Sequence, residues 1–158
     1  LAARAKAAGG LDVGMDAVTI PGAVAGWEAL HKRYGKLPLA TVLGPAVRYA
    51  REGFPVSPVI ARGWAGNLRA FKADGEAIQG AEWIWKLYAP GGAAPVEGQV
   101  FANPDLAATL EMIGKGGAEA FYKGAFAQDF ERHFQAFGRQ HSAADLAAMK
   151  AEWVAPIS

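Results

Sequence analysis

Prolines near helix starts and glycines just past helix ends recur along this sequence, and they set the positions of its predicted helices. Proline is tolerated in the first turn of a helix, where its missing N–H is no loss, whereas glycine readily adopts the backbone conformation that ends a helix. Pro21 and Gly35 bound the first such segment. Its apolar residues recur at helical spacing: Val24, Trp27, Leu30 and Tyr34. This periodicity predicts an amphipathic helix with one apolar face.

The same signals predict further helical segments along the rest of the chain. The second segment runs from Pro38 to Gly53, and Pro45 within it removes a backbone hydrogen bond, so we expect a kink or two short helices there. Typical N-cap residues precede three later segments: Ser57, Asn103 and Ser142. Asp145 follows Ser142 by three residues, which is close to a capping box. The remaining predicted helices span residues 58–71, 104–117, 118–122, 125–137 and 143–150.

The stretch from Lys72 to Gly98 lacks this regularity because glycine and proline interrupt it repeatedly. The aromatic run Trp83–Tyr88 within it is interpreted as a strand or an extended loop segment. Residues 153–157 look like the beginning of another strand. We therefore predict a mainly α chain of about seven helices with little strand, in which residues 1–158 form a single helical portion with an irregular segment at about 72–98.

The composition excludes several classes of function. The 16 basic and 15 acidic residues leave a net charge of +1, and no basic stripe forms, so nucleic-acid binding is not expected. No apolar run approaches the ~18 residues that a membrane helix needs, so no membrane partner is expected. The absence of cysteine excludes disulfides and thiolate metal sites. We predict no metal and no cofactor, and we leave localisation open between cytoplasm and periplasm.

The residues that carry chemistry do not form catalytic patterns. Three histidines lie on separate segments without metal-ligand spacing and are interpreted as surface or hydrogen-bonded residues: His31, His133 and His141. Capping explains both internal serines, and neither lies in a G-x-S-x-G turn. Two carboxylate pairs have a two-residue offset that does not favour a catalytic dyad: Asp74 with Glu76, and Asp129 with Glu131. No Lys-Ser/Thr follows Pro90-Gly91-Gly92, which argues against a P-loop.

Packing is the preferred interpretation of the remaining apolar and small residues. Four phenylalanines share one face of the segment 125–137: Phe126, Phe130, Phe134 and Phe137. Because the opposite face is polar, we predict that these rings are core and not a ligand platform. Gly22 and Gly26 are interpreted as small residues that allow close helix packing. From the residues alone, the chain is a helical domain without a recognisable site.

Three blocks of the sequence carry a resemblance to a known family. Residues 18–58 contain the successive motifs P-G-A-V-A-G-W, R-Y-G-K-L-P and P-A-V-R-Y-A-R-E-G-F. Residues 103–124 read NPDLAATLEMIGKGGAEAFYKG, and residues 142–158 read SAADLAAMKAEWVAPIS. In this order and spacing, the blocks resemble the large subunit of the gamma-glutamyltransferase family. Residues 72–98 match least.

The resemblance implies the four-layer αββα sandwich of the N-terminal nucleophile hydrolases. It also implies an enzyme that transfers or hydrolyses γ-glutamyl groups of glutathione or related amides. In that family a precursor cleaves itself into a large and a small subunit, and the new N-terminal threonine of the small subunit forms an acyl-enzyme.

No catalytic or substrate-binding residue is carried over from the family to this sequence. The three threonines considered are internal and are not assigned as nucleophiles: Thr19, Thr41 and Thr109. Arg4 is the only arginine before the P-G-A-V-A-G block, and its surroundings do not match the family's substrate-binding arginine motif. We therefore expect the isolated chain to be inactive. Because Leu1 is not an initiator methionine, we expect the natural start to lie upstream.

The resemblance makes the remainder of the large subunit and the small subunit the expected partners of a scaffold segment. Enzymes that share this scaffold stay open as alternatives, namely a cephalosporin-acylase-like amidohydrolase or a transpeptidase that processes poly-gamma-glutamate. A non-catalytic helical interaction domain is the alternative from another class. A fragment that stands alone would also be prone to self-association through exposed apolar faces.

Overall fold

The computed structural model describes residues 17–74 and 81–155 of the chain. The described residues form seven helices and a two-stranded antiparallel sheet: α1 Ala23–Tyr34, α2 Leu39–Glu52, β1 Phe54–Pro55, α3 Pro58–Asp74, α4 Ala81–Tyr88, β2 Val100–Phe101, α5 Pro104–Lys123, α6 Ala125–Ala136 and α7 Ala143–Ala147. The predicted fold class, mainly helical with little strand, is confirmed. Within the described ranges, no helix has the length and apolar character needed to cross a membrane.

The chain divides into two compact units, with the divisions inside α2 and α5. Unit 1 comprises residues 1–44 and 109–158, and unit 2 comprises residues 45–108. The sequence predicted a single helical portion, and whether the two units behave as one domain stays a prediction. Each unit has buried residues of its own, so each is described separately below.

The core of unit 1 gathers residues from four helices. Its fully buried members are Val24, Ile113, Phe121, Tyr122, Ala127 and Leu146. On α6, Phe134 is also buried, Phe126 and Phe130 pack half-buried against the core, and Phe137 is half-buried. The phenylalanine stripe therefore faces inward as predicted, although only Phe134 is fully enclosed.

The apolar face of α1 is only partly buried. Val24 is 5% exposed, whereas Trp27, Leu30 and Tyr34 are 44%, 53% and 63% exposed. The helical spacing was predicted correctly, but spacing identifies which face is apolar and not what covers it. Three large apolar side chains of α1 consequently lie at the surface of unit 1.

The close helix contact in unit 1 occurs at a glycine that the sequence did not single out. A Cβ atom added at Gly114 of α5 would lie 3.0 Å from the Cα atom of Ala40 on α2. At Gly26 the predicted close packing is not found within the described part of the chain, where no neighbouring atom lies within 4 Å of an added Cβ. At Gly22 an added Cβ would make an ordinary contact, 3.7 Å from the sulfur of Met149.

Gly117 interrupts α5 with a backbone conformation of φ 65° and ψ −162°. Few residues other than glycine adopt a positive φ of this kind, because a Cβ atom clashes with the backbone. The interruption separates two helical segments at the point where the sequence predicted one helix to end and another to begin. That prediction is confirmed.

Unit 2 packs aromatic side chains around Trp64 of α3. The Trp64 ring centroid lies 4.7 Å from that of Phe101 and 5.9 Å from that of Tyr88, and the indole N–H donates to the Tyr88 carbonyl oxygen at 2.9 Å. Tyr88 ends α4, so the aromatic run that the sequence interpreted as a strand or loop is a helix. The interpretation was wrong because packing against α3 overrides the extended preference of aromatic residues.

Two further predictions of local structure need correction. Helix α2 runs through Pro45 without a break, so the alternative of two short helices is wrong. Helix α7 ends at Ala147, three residues before the predicted end at Lys150. Residues 153–155 have no regular structure, so the predicted strand does not form there, and its last two residues lie outside the described range.

All three predicted N-caps form. The Ser57 hydroxyl oxygen accepts a hydrogen bond from the N–H of Ile60 at 3.4 Å, and the Asn103 side-chain oxygen accepts one from the N–H of Leu106 at 3.0 Å. Ser142 and Asp145 form a complete capping box, with reciprocal backbone-to-side-chain bonds of 3.2 and 2.9 Å.

Replacing Asn103 with alanine should lower the free energy of unfolding by ~0.5–2 kcal/mol, because the first turn of α5 loses its side-chain acceptor. Urea denaturation of the wild type and the variant measures the difference. Asn103→Asp, which keeps an acceptor oxygen at this position, serves as the matched control and should lose much less. An alanine variant whose unfolding midpoint equals that of the wild type would contradict this role for Asn103.

Candidate functional site

Glu28 of α1 bonds to the start of the second segment of α5. Its Oε1 atom accepts a hydrogen bond from the N–H of Ala118, the residue after the Gly117 interruption, at 2.9 Å. Its Oε2 atom accepts one from Lys32 Nζ at 2.7 Å. The side chain of one helix therefore caps a helix segment ninety residues further along the chain.

Hydrogen bonds to their oxygens lower the pKa values of two carboxylates in unit 1. Hydrogen bonds from the Lys32 side chain and from the Ala118 N–H hold the pKa of Glu28 below its usual range, against an opposing effect of burial. Hydrogen bonds from the Ser142 hydroxyl and N–H lower the pKa of Asp145 in the same way. Both groups are ionised at neutral pH, and their oxygens already accept hydrogen bonds from backbone N–H groups at the starts of helices. This arrangement fits structural capping and not proton transfer to a substrate.

Unit 1 should lose stability on acidification partly through Glu28. Because its pKa is lower in the folded than in the unfolded chain, its contribution is fully present above the unfolded value and is lost as pH falls through the folded value. Glu28→Gln should therefore show a smaller loss of unfolding free energy between neutral pH and about pH 3. Urea denaturation at the two pH values tests this. Glu97→Gln, at an exposed carboxylate without a partner among the described residues, is the control and should keep the wild-type dependence.

Two long-range hydrogen bonds from Tyr122 fix the beginning of α1. Its hydroxyl donates to the carbonyl oxygen of Pro21 at 2.7 Å and accepts from the N–H of Ala25 at 3.1 Å. Gly22, at the N-cap position, has no side chain that could cap the helix. The buried hydroxyl of Tyr122 therefore takes over the role of an N-cap residue.

His141 fixes the segment that precedes α1. Its Nε2 atom lies 2.7 Å from the carbonyl oxygen of Val18, and because a carbonyl can only accept, Nε2 donates. The imidazole packs against the ring of Phe134 at a centroid distance of 4.1 Å. Its Nδ1 atom is buried without a hydrogen-bond partner in the part of the chain that the structure describes. The imidazole therefore holds the backbone at Val18 against the core of unit 1.

The other candidates from the sequence are not brought together. His31 Nε2 donates to the carbonyl oxygen of Leu37 at 2.7 Å, and His133 is exposed beside Phe137. Asp129 pairs with Arg132, and Glu131 accepts a hydrogen bond from Gln135 at 3.1 Å. Arg4, Glu76 and Ser158 lie outside the described residues, as does the side chain of Asp74. Among the described residues, no group of three or more His, Asp or Glu side chains could hold a metal ion.

Unit 2 has an apolar groove of about 680 Å³ between α3 and α4. Its walls consist of Val59, Ile60, Gly63, Trp64, Asn67, Leu68, Phe71, Ile84 and Tyr88. This volume falls in the range of ligand-binding clefts, but the walls carry no carboxylate, histidine or cation that could orient a polar substrate. The groove was not predicted from the sequence, although the helical spacing of Ile60, Trp64, Leu68 and Phe71 would have indicated its α3 wall.

Comparison of this chain with known proteins identifies its family. The family model described as gamma-glutamyltranspeptidase matches residues 3–158. The glutathione hydrolase-like YwrD proenzyme of Bacillus subtilis is 38% identical over 142 residues, which cover 90% of this chain and 26% of that protein. The chain thus spans about a quarter of the length of the curated relatives it matches.

Two solved structures show the same fold over most of this chain. Cephalosporin acylase from Bacillus halodurans matches with a TM-score of 0.92 and 36% identity, covering 99% of this chain and 30% of that chain. Gamma-glutamyltranspeptidase from Helicobacter pylori matches with a TM-score of 0.77 and 30% identity, covering 89% of this chain and 39% of that chain. Because the family model spans nearly the whole sequence and solved relatives share its fold, this chain belongs to the gamma-glutamyltranspeptidase family.

Proposed function

We propose that this chain is a scaffold segment of an enzyme that transfers or hydrolyses γ-glutamyl groups. The acyl-enzyme would form on an N-terminal threonine that these 158 residues do not contain. The observation that carries the proposal is the family match over residues 3–158. The roles of the polar side chains in unit 1 support it, because Glu28, Tyr122 and His141 all hold helices or their approaches in place.

The partners we propose are the remainder of the large subunit and the small subunit of the parent enzyme. The exposed apolar residues of α1 support this proposal, because adjacent large apolar side chains on a protein surface often mark an interaction site. The Bacillus subtilis relative is named a proenzyme, and this chain corresponds to about a quarter of it. When the 158-residue chain stands alone, we propose that a second copy covers the exposed face instead.

An amidohydrolase of the cephalosporin-acylase type is the second candidate. The solved acylase from Bacillus halodurans favours it with a TM-score of 0.92 over 99% of this chain. The two candidates differ in the acyl group that the parent enzyme accepts, and the scaffold role of this chain is the same in both. Assays of the full gene product with a γ-glutamyl anilide and with a cephalosporin amide would separate them.

Segment exchange tests the scaffold role. The matching segments of the Helicobacter pylori transpeptidase and of the Bacillus halodurans acylase would each be replaced by this chain. We expect both exchanged proteins to keep the substrate preference of their host, because a segment with a purely structural role does not determine which acyl group the enzyme accepts. Host proteins lacking the segment serve as the inactive control. Turnover of a γ-glutamyl anilide by the isolated 158-residue chain, or a common preference in both exchanged proteins, would refute a purely structural role.

A further inference from the structure

Helix α1 and the second segment of α5, residues 118–123, both begin directly after a glycine. Gly22 precedes α1 and gives it no side-chain cap, and Gly117 precedes the α5 segment. The first N–H groups of a helix have no partner within the helix and need an acceptor from elsewhere. In unit 1, each of these two helix starts receives that acceptor from the other helix.

The hydrogen bonds between the two helices are reciprocal. The hydroxyl of Tyr122, in the α5 segment, accepts from the N–H of Ala25 at 3.1 Å and donates to the carbonyl oxygen of Pro21 at 2.7 Å. The carboxylate of Glu28, on α1, accepts from the N–H of Ala118 at 2.9 Å. Helix α1 therefore supplies the cap of the α5 segment, and the α5 segment supplies the cap of α1.

The same two helices also share buried apolar surface. Val24 of α1 and Phe121 of the α5 segment are buried in one cluster together with the ring of Tyr122. Ala25 and Ala118, whose N–H groups are capped, pack against this cluster. Separating the two helices would leave both N–H groups without their acceptors and would expose apolar surface at the same time.

Helices that carry their own caps do not depend on another helix in this way. Ser57, Asn103 and Ser142 each accept from an N–H group three residues further along the chain. The bonds to Tyr122 and Glu28 instead join residues that are 97 and 90 positions apart. Neither α1 nor the α5 segment therefore has this cap at its start until the other helix is in place.

We infer that α1 and residues 118–123 form one cooperative unit within unit 1, whose two caps open and close together. Loosening of the chain where it enters α1 at Pro21 would release Tyr122 and, with it, the cap that Glu28 provides ninety residues further along the chain. Cooperative units of this kind can open at a lower free energy than complete unfolding, and amide hydrogen exchange detects such opening.

Amide hydrogen exchange in the full 158-residue chain, followed by NMR, tests this coupling. Tyr122→Phe removes only the hydroxyl and should accelerate exchange at Ala25 by about threefold or more. The same factor should appear at Ala118, although its own hydrogen bond is unchanged. Glu28→Ala should accelerate both amides by about tenfold or more, because a hydrogen bond to a charged group is lost. Glu28→Gln, which keeps an acceptor oxygen, should have a smaller effect at both amides.

Phe134→Leu is the control for a general loss of stability. Phe134 is buried on α6, outside the cluster that contains Val24 and Phe121. The variant should leave exchange at Ala25 and Ala118 unchanged, because α6 stays folded when the cooperative unit opens. Acceleration of these two amides in Phe134→Leu would overturn a separate unit, since they would then exchange only when all of unit 1 unfolds. If Tyr122→Phe and Glu28→Ala do not each accelerate both amides, the two caps are independent and the coupling is overturned.

Discussion

The Phe134→Ala variant should lose ~3–5 kcal/mol of unfolding free energy, as expected when a buried aromatic ring is truncated. Phe134 is 6% exposed. Its ring centroid lies 4.6 Å from that of Phe130 and 4.1 Å from that of His141. The truncation would leave a cavity bordered by these two rings, and the hydrogen bond from His141 to Val18 restrains its collapse. Urea denaturation, with the slope of the transition monitored, measures the loss.

The neighbouring ring of the same stripe supplies the control. Phe137 is half-buried at the end of α6, so Phe137→Ala should cost clearly less than Phe134→Ala. Phe134→Leu, which keeps much of the apolar volume, should fall between the wild type and the alanine variant. Equal losses of unfolding free energy in Phe134→Ala and Phe137→Ala would show that Phe134 is not more deeply buried in a core than Phe137.

Features that depend on a few neighbouring residues could be predicted from the sequence. The N-caps at Ser57, Asn103 and Ser142 form because a side-chain oxygen and its N–H donor lie three residues apart. The interruption at Gly117 was equally visible, because the sequence ends one helical pattern there and begins another. At the caps the interacting groups are close along the chain, and at Gly117 the conformational freedom of glycine itself permits the interruption.

Features that depend on distant residues could not be predicted in this way. The aromatic run that became α4 takes its conformation from packing against α3, and periodicity within a short apolar run does not decide between helix and strand. Glu28 could be predicted to pair with Lys32 by their spacing, but not to bond to Ala118. For the same reason, the sequence indicated the apolar face of α1 without indicating that most of it is exposed.

Replacing Gly117 with alanine should lower the free energy of unfolding by roughly 2.5–6 kcal/mol, through two separate effects. Its φ of 65° with ψ of −162° lies in a region that essentially only glycine occupies, which accounts for ~1–3 kcal/mol. In addition, the new Cβ atom would lie 2.5 Å from Glu28 Oε1. That carboxylate would have to move away from the Ala118 N–H, and losing a hydrogen bond to a charged group costs ~1.5–3 kcal/mol.

A double-mutant cycle with Glu28→Ala separates the two effects. Once the Glu28 side chain is removed, Gly117→Ala should cost only its backbone strain, ~1–3 kcal/mol, so the two changes together should cost less than the sum of the single ones. Gly138→Ala is the matched control, because Gly138 has a similar φ of 68° but open space around an added Cβ. Urea denaturation of all four variants gives the comparison. Strict additivity of Gly117→Ala and Glu28→Ala would mean that the carboxylate moves without cost, and the proposed capping of α5 by Glu28 would then contribute little to the stability of unit 1.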